Sequence, residues 1–107
     1  MRRLANYING ESVAPQSGRY VELISPVTGQ PFAEMPVSSA ADIDAAVASS
    51  ARAFSEWRRT TPSQRSNYLL RIADALESRA EEIVGIEAEN CGKIIAVTMS
   101  EEIPPDR

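Results

Sequence analysis

The sequence predicts an α+β chain in which a small antiparallel β meander precedes a long helix pair. Three observations carry that expectation. Short extended runs over residues 4–37 are separated by turn signals, among them Asn9-Gly10, Gly18 and the segment SPVTG at 25–29. From Ile43 onward the apolar residues change to helical spacing. Between two such stretches, Thr61-Pro62-Ser63-Gln64 reads as a helix start, with a capping threonine, a proline at the first position and a glutamine that closes a capping box.

The elements follow in order. Residues 4–9 form a first strand, and Asn9-Gly10 is a turn dipeptide. Residues 11–18 are turn-like, with Pro15 and Gly18 as breakers. The run YVELIS over 20–25 is rich in apolar residues and predicts a strand covered on both faces. Residues 31–37, PFAEMPV, make a third strand, in which Pro36 demands an edge position or a strand end.

A first helix is expected over residues 40–57. Ser39 can cap it, and Asp42 in its first turn suits the positive helix end. Ile43, Val47, Ala51, Phe54 and Trp57 fall on one side, a candidate core stripe. The second helix, 62–91, carries Leu69, Ile72, Ala73, Leu76, Ala80 and Ile83 along one face, with Asp74, Glu77 and Glu81 largely opposite. Gly85 interrupts it, and a glycine inside a helix costs roughly 1 kcal/mol against alanine, so a kink or break is expected near that residue. Gly92 reads as its C-cap, with Glu89 placed to pair with Lys93. A short third helix over 94–102 precedes Pro104-Pro105, which cannot continue it.

Composition narrows the function classes. A chain of 107 residues with 43% hydrophobic and 24% charged residues is expected to be a single soluble segment. Its net charge of −4 and scattered arginine pairs argue against a nucleic-acid surface. No apolar run approaches a membrane span, and the start lacks a signal-peptide core. A single cysteine fits a reducing cytoplasm, and the absence of histidine removes Ser-His and Cys-His pairs and imidazole-ligated zinc.

The residue chemistry supplies no active site. Cys91 lies at the C-terminal end of a helix, where the dipole gives a thiolate no support, so it reads as a packing thiol. Glu81-Glu82 and Glu101-Glu102 are adjacent pairs that point apart on a helix and read as solvated faces. No glycine-rich phosphate loop is present, so both catalytic and cofactor-binding residues are expected to be absent.

Taken together, six segments resemble the N-terminal end of the aldehyde dehydrogenase superfamily. They are YINGE (7–11), ISPVTGQ (24–30), SARAFSEW (50–57), TPSQR with LLRIADALESRAEEI (61–83), NCGK (90–93) and EEIP (101–104). The last two are closest to the branch acting on aminoaldehydes such as γ-aminobutyraldehyde and betaine aldehyde, although Ile94 stands where that branch usually has proline. The resemblance implies that this α+β chain is a fragment of a larger α/β aldehyde dehydrogenase fold. That parent would oxidise an aldehyde to the acid with NAD or NADP.

The same resemblance implies that the catalytic domain and most of the nucleotide-binding domain lie beyond this chain. The expected product is a truncated or frameshifted form, inactive alone and binding no cofactor by itself. It places main-chain carbonyls of Ile24 and Asn90 as ligands of a monovalent cation, and Glu101 or Glu102 beside the substrate channel. The alternative expectation is a small non-catalytic helical interaction module. Its exposed helix faces would bind a second copy or a full-length relative.

Overall fold

A computed structural model describes residues 1–92, 95–97 and 99. Its strands are β1 (Arg2–Arg3), β2 (Asn6–Ile8), β3 (Glu11–Val13), β4 (Tyr20–Ile24) and β5 (Pro31–Pro36). The helices are α1 (Ala40–Trp57), α2 (Pro62–Ser78), α3 (Ala80–Cys91) and a short α4 (Ile95–Val97). The α+β class is as expected, but the chain separates into two compact units rather than one. The first comprises Met1–Ile24 and Gln30–Thr60, the second Ser25–Gly29 and Thr61–Arg107.

In the first unit the expected meander is two sheets. β2 and β3 form a hairpin in which Asn6, Tyr7 and Ile8 face Val13, Ser12 and Glu11. Asn9 and Gly10 turn it, both with positive φ (55° and 78°), as a tight primed turn requires. The strand expected at 4–9 is therefore shorter, and the stretch read as turn-like after it contains β3. The second sheet has the order β1-β5-β4. β4 runs antiparallel to β5 with a register shift between Leu23 and Ile24, whereas β1 runs parallel to β5. A two-residue strand has no periodicity to read, which is why β1 escaped the sequence.

The prolines of β5 sit at its two ends, so a central strand keeps its ladder donors. Ala33 is fully buried at its middle. β4 is not covered on both faces as expected: Val21 and Ile24 are exposed. Its apolar content counted residues without saying how many layers the unit has. Arg3, opposite Glu34 on β5, donates from Nε to the Glu34 carboxylate at 2.8 Å, and its guanidinium lies 4.3 Å from the Tyr20 ring centre.

α1 has the expected limits. Its first turn is closed by Asp42, whose Oδ2 accepts the Ser39 amide at 2.8 Å. The helix ends where the Thr60 amide and hydroxyl both donate to the Trp57 carbonyl. The stripe Ile43, Val47, Phe54 and Trp57 is present on the helix but exposed, so it is not the core that the sequence suggested.

In the second unit, Thr61 caps α2 through the expected box: the Gln64 amide donates to Thr61 Oγ1 at 3.2 Å, and the Thr61 amide donates to Gln64 Oε1 at 2.9 Å. Leu69, Ile72 and Leu76 are exposed along it. The helix expected over 62–91 breaks at Arg79 (φ −113°, ψ 17°), not at Gly85. Arg79 closes α2 through its amide to the Ala75 carbonyl and opens α3 through its carbonyl to the Ile83 amide. Glu81 and Glu82 then occupy the first turn of α3, where the helix dipole favours them, and Arg79 grips Glu82 by two hydrogen bonds of 2.9 and 2.7 Å. That arrangement outweighs the modest backbone preference of Gly85, which stays inside α3. Among the described residues of this unit, Val84 is the buried apolar one. Of the helix expected over 94–102, residues 95–97 are helical, and the remainder lies largely outside the described residues.

Candidate functional site

The second unit joins two of the segments that carried the family resemblance. Ser25 starts a tight turn because its hydroxyl oxygen accepts the amides of Val27 and Thr28, each at 3.2 Å. The Gly29 amide closes the turn on the Ser25 carbonyl at 2.8 Å. This turn buries Ser25 and presents Pro26. At the end of α3, Gly92 takes φ +73°, its amide donating to the Ala88 carbonyl at 2.8 Å. A Cβ on Gly92 would lie 3.4 Å from Pro26 Cγ and 3.7 Å from its Cβ. Glycine is thus suited twice over, by the left-handed backbone and by the proline packed against it.

Asn90 and Cys91 occupy the last turn of α3. Cys91 is exposed, and the Asn90 side-chain amide approaches its Sγ at 3.8 Å. Among the described residues no group of three or more Cys, Asp or Glu side chains could hold a metal ion. Ile24, the other expected carbonyl ligand, ends β4 in the first unit, opposite Pro31, which has no N–H to donate. Glu101 and Glu102 lie outside the described residues.

The segment leading into α1 carries no glycine turn, and the N-terminus of α1 is occupied by a carboxylate of the chain itself. Asp42 is buried there, taking the Ser39 amide and hydroxyl on Oδ2 and the Gln16 amide on Oδ1. These bonds, the backbone donation from Ser39 first and that from Gln16 second, hold its carboxyl below the usual carboxylate range, against the opposing effect of burial. The bond from Gln16 is the site feature that sequence reading missed, since nothing local marks a backbone donor so far away.

The sequence profile of the Aldehyde dehydrogenase family matches residues 13–105. The chain is 44% identical over 102 residues to an acetaldehyde dehydrogenase of Pseudomonas aeruginosa, covering 95% of this chain and 20% of that protein. It is 41% identical over 99 residues to a long-chain-aldehyde dehydrogenase of an Acinetobacter species, covering 92% and 20%. Its fold superposes on the crystal structure of an indole-3-acetaldehyde dehydrogenase complexed with NAD+ with a TM-score of 0.90 and 36% identity, over 94% of this chain and 21% of that one. The chain therefore spans about a fifth of the length of the curated relatives it matches. With its profile, its order of motifs and its fold all in agreement, the chain belongs to the aldehyde dehydrogenase family.

Proposed function

We propose that this chain contributes the N-terminal segment of an NAD(P)-dependent aldehyde dehydrogenase, in which its role is structural. The observation that carries the reading is the packing of the Ser25–Gly29 turn on Gly92, which ties two family motifs together within one compact unit. The catalytic nucleophile, the general base and the cofactor cradle belong to the remainder of the parent fold. We read Cys91 as a surface thiol and not as the nucleophile, because it sits exposed at a helix C-terminus, where the dipole disfavours a thiolate.

Within that parent, main-chain carbonyls of Ile24 and Asn90 are proposed ligands of a monovalent cation. Asn90 fits because a helix leaves its last carbonyls without intrahelical donors, and Ile24 fits because it faces a proline. The aminoaldehyde class rests on NCGK and on Glu101 or Glu102, whose negative charge would attract an ammonium group. The relatives described above carry the names of acetaldehyde and long-chain aldehydes, so the substrate assay must compare both kinds. In a full-length enzyme built on this segment, Glu101→Gln with Glu102→Gln should raise KM for γ-aminobutyraldehyde and leave KM for acetaldehyde unchanged. Equal effects on both substrates would remove the aminoaldehyde assignment. Steady NADH formation by the 107-residue chain alone would remove the structural role.

A second reading, a non-catalytic interaction module that binds a partner such as a full-length relative, is favoured by the exposed apolar faces of α1 and α2.

A further inference from the structure

Asn9 and Gly10 close the β2–β3 hairpin, and the same two residues form a reactive pair. Of the chain's four asparagines, Asn6, Asn67 and Asn90 precede Tyr7, Tyr68 and Cys91, and Asn9 alone precedes glycine. A side chain on the following residue hinders its amide nitrogen from reaching the asparagine carboxamide. Gly10 has none, and a Cβ built there would meet no atom within 4 Å. We propose that Asn9-Gly10 is a self-modifying site, at which Asn9 deamidates through a cyclic imide when the hairpin opens and is held unreacted while it is closed. The reacting atoms belong to consecutive residues, so the step does not depend on what a longer parent fold lays over the helices. It is equally independent of aldehyde oxidation.

The chemistry needs only water. The Gly10 amide gives up its proton to solvent, and its nitrogen bonds to Cγ of Asn9. The Cγ–Nδ2 bond breaks, and ammonia leaves with a proton taken from solvent. Water then opens the imide at either carbonyl, its hydroxyl going to carbon and its proton to nitrogen. Opening at Cγ gives aspartate, whereas opening at the main-chain carbonyl gives isoaspartate, the usual major product. Nothing is oxidised or reduced.

The turn geometry sets the gate. Ring closure needs the Gly10 nitrogen and the Asn9 Cβ on the same side of the Asn9 Cα–C bond. The φ values, 55° at Asn9 and 78° at Gly10, fit the mirror image of the commonest tight turn. In that turn ψ of the first central residue is about 30°, which sets the nitrogen and Cβ nearly opposite one another. The closed hairpin is therefore the unreactive conformer. Its sheet holds three residue pairs, from Asn6 on Val13 to Ile8 on Glu11, and hairpins that small are marginal alone. Opening it costs far less than unfolding the whole chain.

The product cannot close the gate again. Isoaspartate lengthens the backbone by a carbon, and a two-residue loop so extended no longer matches the twist of its strands. β2 also carries Asn6, whose side-chain amide donates to Ser38 Oγ at 2.9 Å and whose Oδ1 accepts the Ser38 hydroxyl at 3.1 Å. Ser38 adjoins Ser39, the N-cap of α1, so losing the hairpin slackens its tie to the start of that helix. Aspartate tolerates a positive φ and re-forms the turn.

Peptide mass mapping of the full 107-residue chain, incubated at mildly alkaline pH in buffer and in urea, tests this directly. The expected result is conversion of amide to acid at Asn9 ahead of Asn6, Asn67 and Asn90, with isoaspartate as the main product. Conversion should be at least roughly tenfold slower in buffer than in urea, because the closed turn must first open. Gly10→Ala should slow it sharply in urea, where folding has no part. Hydrogen exchange then reads the consequence: the isoaspartate form should lose protection across the β2–β3 pairs, while Asn9→Asp, with the same added charge, should keep it. Three results overturn the proposal. They are an Asn9 that stays intact in urea, equal rates in buffer and urea, or an isoaspartate form whose hairpin remains protected.

Discussion

The Gln16 amide donates to the Asp42 carboxylate at 3.0 Å, pinning the loop before β4 to the first turn of α1. The same carboxylate takes the Ser39 amide and hydroxyl, so one side chain both caps a helix and fastens a distant segment. Its carboxyl is held below the ordinary value near 3.8, chiefly by the Ser39 amide and then by that of Gln16. A group whose folded pKa is lowered gives stability that is present above its unfolded pKa and lost as pH falls through the folded one. Asp42→Asn should therefore melt well below the parent chain at neutral pH, and the difference should close in strong acid. Thermal melts of both proteins from pH 7 to pH 2 check this. A constant gap across that range would mean that the charge of Asp42 contributes nothing.

The cap of α2 and its apolar stripe make a second test. Thr61→Ala removes the acceptor of the Gln64 amide and should cost ~1 kcal/mol. Leu76 is 46% exposed, so its truncation to alanine forfeits only part of the ~2–5 kcal/mol typical of a core leucine. The two variants should fall within about 1 kcal/mol of each other in urea denaturation. A Leu76→Ala cost several-fold above that of Thr61→Ala would show that Leu76 is covered in solution, either within the chain or by another copy.

That comparison also marks what the sequence could reveal. Thr61-Pro62-Ser63-Gln64 acts over four residues, and the structure has the capping box it predicts. Asn9-Gly10 and the limits of α1 were legible for the same reason. The stripes showed which helix face is apolar but not what covers it, because coverage is a long-range property. Nor did local propensity locate the helix break, since Gly85 was weighed by itself while the Arg79–Glu82 pair and the acidic first turn of α3 act together. Of the site, the NCGK and SPVTG motifs were readable, whereas the contact of Pro26 with Gly92 joins segments that no periodicity connects.

Cys91 gives a third prediction. Being exposed, it should react with a thiol reagent in the folded chain at a rate close to that in denaturant. Cys91→Ser should change stability by less than about 0.5 kcal/mol, as expected of a surface substitution away from the core. With NAD or NADP and γ-aminobutyraldehyde or acetaldehyde, neither protein should form NADH or NADPH above a buffer control. Turnover by the parent chain that Cys91→Ser abolishes would make the cysteine a nucleophile after all.

Gly85 inside α3 and Gly92 at its C-terminal cap should respond to alanine with opposite signs. Gly85 has ordinary helical backbone, and a Cβ there meets no atom within 4 Å. Alanine at that position restrains the unfolded chain and suits the helix, so Gly85→Ala should stabilise by up to ~1 kcal/mol. Gly92 has φ +73°, where an L-residue is strained by roughly 1–2 kcal/mol. Its added methyl would also press on Pro26 at 3.4 Å, so Gly92→Ala should destabilise by at least ~1 kcal/mol. Pro26→Ala separates the two causes. If the contact with Pro26 matters, Gly92→Ala should cost less in the Pro26→Ala background than in the parent chain. If the cost is the same in both, backbone strain alone accounts for it, and the turn and the helix end are not energetically coupled through that contact. A double-mutant cycle by urea denaturation reads the difference, and a coupling indistinguishable from zero would remove the observation on which the structural role of this unit rests.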